Sequence, residues 1–211
     1  MRTLTTLTGY LTAFLILMAS SLASASSDPR DVVTQATDGI IAELEKTKPA
    51  QRTPEMFRNL VTEYILPAID QEKIAMGALG KYWRQATPGE RKEFIDVFRE
   101  RQLNTYSGAF KAYDGQDLTF SSTVYSPEGD RAIVKGQFMQ SNGQTVPVDF
   151  RLYKNDDGNW LIYDAIIAGL SMVKTYRTQL TSQLQNKSIQ QLLADLRTAP
   201  IEDPAMPTVT D

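Results

Sequence analysis

Few side chains in this sequence could carry out chemistry, and their types are restrictive. The 211 residues include no histidine and no cysteine. Serine–histidine and cysteine–histidine nucleophilic sites are therefore excluded, together with His- or Cys-ligated transition-metal sites. Any catalysis would fall to Asp, Glu, Lys, Tyr or Ser. The adjacent pair Tyr163 and Asp164 invites that reading, because an aspartate base beside a tyrosine in an apolar pocket is the equipment of certain isomerases and dehydratases in cone-shaped α+β folds. A plainer use stands beside it. An unpaired buried carboxylate is costly, so Asp164 reads as a hydrogen-bonded structural acceptor with Arg151 or Arg177 as its partner.

The other available chemistry is the solvation of something greasy. Asn159 to Arg177 reads NWLIYDAIIAGLSMVKTYR. Its first part is a strand apolar on both faces, Trp160, Ile162 and Ile166 one way and Leu161, Tyr163, Ala165 and Ile167 the other. A strand with one face in water alternates, so both sides require cover from helices or an apolar ligand. Past Gly169 the period changes, and Val173, Tyr176, Leu180 and Leu184 recur at helical spacing. The corner Gly169-Leu170-Ser171 joins the two and is placed to border a cavity.

The elements that must position this stretch follow from caps and periodicity. Asp28-Pro29 and Thr53-Pro54 are helix starts, opening stripes that run Val32, Val33, Ala36, Ile40, Leu44 and then Phe57, Leu60, Val61, Tyr64, Ile65 before Pro67. Asp70 caps a short helix ending at Gly80. Thr87-Pro88-Gly89-Glu90 has capping-box spacing and opens a long helix to about Tyr113, loaded with Phe94, Phe98, Leu103, Tyr106 and Phe110. The period then becomes two. Four strands follow, carrying Phe120 and Val124, then Val134 and Phe138, then Val148 and Phe150, then Ile162 and Ile166, with a two-residue turn expected at Asn142-Gly143. Tight turns between consecutive strands predict an antiparallel meander. A helix from Ser171 and another from Ser188 close the fold. The class is α+β: N-terminal helices, a four-stranded antiparallel meander curved into a cone around the long helix, and C-terminal helices packed back on the sheet.

Arg2, the apolar run Leu11 to Met18 and Ala23-Ser24-Ala25 read as a signal peptide over 1–25. Residues 26–198 then form one domain, divisible into a helical and a sheet lobe, and the proline-punctuated 199–211 a disordered tail. Loss of Arg2 leaves 21 basic against 25 acidic side chains. That balance, interspersed rather than blocked, argues against nucleic acid and anionic membrane surfaces as partners. With no later span-length apolar run and no cysteine for a lipid anchor, the expected class is an exported, unanchored protein of the bacterial periplasm.

Pro67 and Asp70, Leu79-Gly80 with Trp83, Ala86-Thr87-Pro88 with Arg91 and Phe94, Tyr106, Asn159-Trp160, Tyr163-Asp164 and Gly169-Leu170-Ser171-Met172 together resemble the MlaC, or toluene-tolerance, family of periplasmic phospholipid-binding proteins. The departures are mild: Leu170 stands where a smaller β-branched residue is common, and the segment before Ser188 lacks the usual glycine. The resemblance implies a cone related to nuclear-transport-factor-like folds, no catalytic residues and no cofactor. It further implies a monomeric shuttle carrying a glycerophospholipid, as cargo, between an outer-membrane lipoprotein–porin complex and an inner-membrane ABC transporter complex with a hexameric lipid-binding ring, so maintaining outer-membrane lipid asymmetry. The acyl chains would sit in a dry pocket with the head group near solvent.

Physical chemistry sets the requirement. A diacyl lipid has on the order of 30 methylenes, at roughly 0.8 kcal/mol each, so a carrier must enclose its chains. Candidate walls are Phe94, Phe98, Tyr106 and Phe110 on the long helix, Phe120, Val134, Phe138, Val148, Phe150, Ile162 and Ile166 on the sheet, and Leu170, Met172 and Val173 at the corner. An aromatic stripe at helical spacing is more often plain core; only the resemblance raises it to a ligand wall. Arg84 and Arg91 are candidates for docking on an acidic partner surface, although single exposed arginines are usually solvated charge. A purely structural adaptor, with a filled core and no cavity, is the third reading.

Overall fold

The computed structural model describes residues 28–198, apart from the side chains of 106–112. The expected signal peptide and tail lie outside the described residues. In chain order the elements are α1 (Pro29–Lys46), α2 (Pro54–Leu60), α3 (Gln71–Leu79), α4 (Pro88–Ala112), β1 (Leu118–Tyr125), β2 (Arg131–Met139), β3 (Thr145–Lys154), β4 (Trp160–Ile167), β5 (Leu170–Ser171), α5 (Met172–Leu184) and α6 (Ile189–Thr198). The strands pair antiparallel in the order β1-β2-β3-β4-β5. The chain is thus α+β with an antiparallel meander, one short strand longer than the periodicity indicated.

Helix starts are fixed by short polar side chains. Asp28 accepts from the Arg30 N–H at 2.8 Å, Thr53 from Met56 at 3.1 Å and Asp70 from Lys73 at 2.8 Å. Thr87 and Glu90 exchange their bonds reciprocally, as the capping-box spacing requires. Each such cap contributes about 1 kcal/mol. The C-terminal end of α1 is held differently: the buried Arg52 donates to the carbonyls of Thr47, Leu44 and Tyr113, tying α1 to the end of α4.

Residues opposite one another in an antiparallel pair share a face. Ala132, Val134 and Phe138 oppose Leu152, Phe150 and Val146, so β2 and β3 present the inner face expected of them. Two bulges then change the outcome for their neighbours. In β1 the register shifts between Phe120 and Ser122, which puts Thr123 opposite Val134 and turns Val124 outward, where it is half exposed. In β4 an extra residue at Tyr163 puts Ile162 opposite Leu152, Ala165 opposite Phe150 and Ile167 opposite Val148, with Ile166 opposite Asp149. A bulge inserts one residue and so exchanges the faces beyond it. Ile162 and Ile166 therefore lie on opposite faces, not one. The bulge re-sorts which residues share a face, while every residue of β4 stays buried or half-buried, as a strand covered on both sides requires.

The turns also differ from expectation. Gly143 accepts φ = +84° after a turn in which its N–H bonds the Gln140 carbonyl, and Gln140 pairs with Gln144. This is a three-residue loop ending in a left-handed glycine rather than a two-residue hairpin. The tightest hairpin is instead Ala168-Gly169, where both residues have positive φ, +48° and +81°, the requirement of a type I′ turn. It folds β5 back on β4, and Ser171 then caps α5 by accepting from the Lys174 N–H at 3.1 Å.

Packing divides the interior. The helix seated on the inner face of the sheet is α1, whose Val33 and Ala36 join Ala132, Val134, Leu152, Trp160 and Ile162. The long helix α4 packs instead against α2, α3 and α6, and its Phe94 and Phe98 are fully buried among Ala75, Leu79, Tyr176, Leu180 and Leu192. Several amphipathic faces are interchangeable by pattern, and tertiary fit chooses which of them meets the sheet.

Candidate functional site

Between β3, β4 and the helices lies a cavity of about 440 Å³, almost wholly apolar in its walls. The sheet supplies Phe150, Ile162, Ala165 and Ile167, and α5 supplies Met172, Val173 and Tyr176. The bulge in β4 makes this wall, since without it Ala165 and Ile167 would face away. Facing it stand Val33 and Ala36 of α1, and Phe57, Val61, Ile65 and Leu66 from α2 and the turns after it.

That second wall owes its shape to Pro67. A proline has no N–H to donate, and its ring crowds the carbonyl four residues back. The chain leaves α2 as a wide π turn, Val61–Ile65, in which the Leu66 N–H reaches the Val61 carbonyl, and then tightens into a 3₁₀ turn, Leu66–Ala68. The same segment is clipped to the sheet where Ile69 bridges Ile162 and the Asp70 N–H bonds the Ile162 carbonyl at 2.9 Å. Asp70 also receives the Tyr153 hydroxyl. Burial first, and then that bond, push the Tyr153 phenol up to about 12, so it stays a neutral donor.

Polar groups at the cavity are few and differ in kind. Asp164 is 4% exposed and accepts from Arg151 at 3.1 Å, Ser171 at 2.6 Å and the Val173 N–H at 3.1 Å. It fastens β4 to the start of α5 as a structural acceptor, with Arg151 as the charged partner; Arg177 bonds the Gly77 carbonyl instead. Tyr163 packs edge-on against Tyr153, centroids 6.0 Å apart, and does not line the cavity. Gln71, Arg99 and Gln102 are half-buried on the cavity border. Among the described residues no group of three or more acidic side chains is placed to hold a metal ion.

Of the wall residues expected from the sequence, Phe150, Ile162, Met172 and Val173 come together at the cavity. Phe94 and Phe98 stack on each other, centroids 5.2 Å apart, inside the buried cluster formed by the helices. Val134 and Phe120 belong to the packing beneath α1, and Phe138 and Val148 are half-buried on the inner face without reaching the cavity. Ile166 and Leu170 border a separate, mixed-polarity depression; Leu170, paired with Ile167 across the hairpin, is 51% exposed and does not line the cavity. The side chains of Tyr106 and Phe110 lie outside the described residues. Arg84 is exposed, whereas Arg91 bonds the Trp83 carbonyl at 2.9 Å and covers its ring.

Sequence reasoning missed Val61, Ile65 and Leu66 as walls, and Gln71, Arg99, Gln102 and Leu103 at the border. The signal for the first group was present, since an apolar run ending in Pro67 must leave helical geometry. In the second group Leu103 lies on the apolar stripe already noted, whereas Arg99 and Gln102 carried no signal, because they sit beside Phe98 on a helix whose orientation only packing decides.

The sequence pattern of the MlaC protein family matches residues 34–198. The chain is 27% identical over 175 residues to the toluene tolerance protein ttg2D of Pseudomonas putida, covering 81% of this chain and 80% of that one. It is 25% identical over 196 residues to the intermembrane phospholipid transport system binding protein MlaC of Haemophilus influenzae, covering 92% and 90%. In structure it is similar to a phospholipid-binding protein from Ralstonia solanacearum solved in complex with a phospholipid, with a TM-score of 0.73 and 25% identity over 80% of this chain and 94% of that one.

Proposed function

Because this chain belongs to the MlaC family, we propose that it is a periplasmic phospholipid carrier, exported by a cleaved signal peptide, that holds acyl chains in the cavity between β4 and the π turn. The observation that carries the reading is the cavity itself, about 440 Å³ of apolar-walled space beside a helical core whose large side chains are fully buried. Close packing is the rule in protein interiors, and an apolar space of this size that opens to water leaves its lining facing solvent. An apolar ligand covers it. A single chain of about 15 methylenes, at about 0.8 kcal/mol each, brings on the order of 12 kcal/mol of transfer free energy.

Phe150, Ile162, Met172 and Val173, with Ala165, Ile167 and the π-turn residues, are the side chains this reading puts against the acyl chains. The full role is a shuttle without cofactor or catalysis, acting as a monomer between an outer-membrane lipoprotein–porin complex and an inner-membrane ABC transporter complex, so keeping the outer membrane asymmetric. The name of the Haemophilus relative, an intermembrane phospholipid transport binding protein, supports it. The saturation of Asp164 by three donors favours carriage over an isomerase mechanism. Exposed Arg84 is the better docking candidate of the two arginines, since Arg91 is engaged with Trp83.

The test is direct. The mature protein is purified from bacterial cells without detergent and extracted with organic solvent, and the extract is weighed against protein by mass spectrometry. Roughly stoichiometric phospholipid is expected. Lipid-free protein that also fails to take up phospholipid from vesicles would sink the carrier reading.

A further inference from the structure

We propose that Arg99, flanked by Gln71 and Gln102, holds the phosphodiester of the lipid whose chains fill the cavity, and so selects phosphate-bearing amphiphiles; this rests on the carrier reading above. Among the described residues two charged side chains line the cavity, Asp164 and Arg99. Asp164 is consumed by its three donors. Arg99 differs. Its contact with Asp96 is long, 3.4 Å, and Asp96 is shared with Lys92 at 3.2 Å. Ion pairs this exposed add little, and this one engages a single nitrogen of a fork built to grip two oxygens of an anion.

The position of Arg99 matches the demand. Its side chain is 35% exposed while bordering the apolar space, so the guanidinium stands where the cavity meets water. A lipid with buried chains must leave its phosphate at such a boundary. Across the same border the Gln71 amide reaches the Gln102 amide at 3.5 Å, too long for a strong bond. Two weakly committed carboxamides beside a weakly committed guanidinium form a donor-rich collar that apolar chains alone do not require. A carboxylate amphiphile shares the negative charge but brings one acyl chain where a phospholipid brings two, and so less apolar surface to bury.

Delipidated protein and its Arg99→Gln and Arg99→Lys variants are each incubated with vesicles containing equal amounts of dioleoylphosphatidylglycerol, dioleoylglycerol and oleic acid. After gel filtration the bound lipids are quantified by mass spectrometry, and circular dichroism verifies that each variant is folded. The unaltered protein is expected to retain the phospholipid over dioleoylglycerol by about tenfold or more, the scale of one charge-assisted bond. Arg99→Gln should erase most of that preference while still binding diacyl lipid, and Arg99→Lys should restore part of it. An unchanged preference in Arg99→Gln, or oleic acid as the dominant bound species, overturns the inference and leaves the carrier reading standing. Failure of the unaltered protein to take up any of the three overturns both.

Discussion

The two lobes are built from the same kinds of side chain and end in opposite states. In the helical lobe Phe94 stacks on Phe98, Phe98 meets Tyr176 edge-on with centroids 4.9 Å apart, and Ala75 and Ala78 let α3 lie close against α5. A Cβ added at Gly77 would stand 2.6 Å from the Val173 side chain, a measure of how tightly those helices press together. On the sheet side Phe57, Val61, Ile65, Phe150 and Ile162 surround open space. Aromatic density therefore does not mark a binding site. What separates the lobes is backbone irregularity: a proline-driven π turn on one wall and a one-residue bulge on the other hold apart surfaces that regular elements would have brought into contact. π turns and bulges are over-represented at functional sites.

That contrast can be broken most forcefully in the helical lobe. Phe98→Ala should lower the free energy of unfolding by about 3–5 kcal/mol, read from the urea midpoint, while lipid retained per folded molecule stays the same. A mild loss of stability with a large loss of lipid would mean that the stacked phenylalanines belong to the cavity after all.

Filling the open lobe should do the reverse. Ala165→Phe puts a ring into space that a few methylenes would occupy, at about 0.8 kcal/mol each, so retained lipid should drop to about a tenth or less in the vesicle assay. Stability should hold or rise, because the ring finds room rather than overpacking. If the variant keeps its full lipid load, the cavity beside β4 is not where the chains go.

The smallest effect is expected at the corner. Leu170→Glu should shift stability by no more than about 0.5 kcal/mol and leave lipid content unchanged, because Leu170 is half exposed, does not line the cavity and borders the polar depression beside Lys174. Loss of lipid in that variant would extend the site through the hairpin and redraw the boundary between the two faces.

Legibility followed the range of the interaction. The Thr87–Glu90 box, the caps at Asp28, Thr53, Asp70 and Ser188, and the helix start at Ser171 depend on residues a few positions apart, and each is found in place, as is the meander that short connections impose. Met172 and Val173 were readable beside the site because they follow directly from the strand. Phe94 and Phe98 read as plain core by pattern and as ligand walls only through the resemblance, and they lie in the core; the pattern could not say which core, since a helix face carries no mark of which neighbour it will meet. Ile166 misled for a narrower reason: period-two reading assumes an unbroken register, and the extra residue at Tyr163 is invisible to it.

By itself the amino-acid sequence determined the class of fold, the absence of histidine and cysteine chemistry, the family, and the start of each helix, because composition and local hydrogen bonding need no distant partner. Only the tertiary structure decided that α1 rather than α4 lies on the sheet, that Asp164 is spent on Arg151, Ser171 and Val173, and that the space left open is the one beside β4. Those outcomes are settled by which surfaces fit when all of them compete at once, and a void is the residue of that competition, belonging to no stretch of chain.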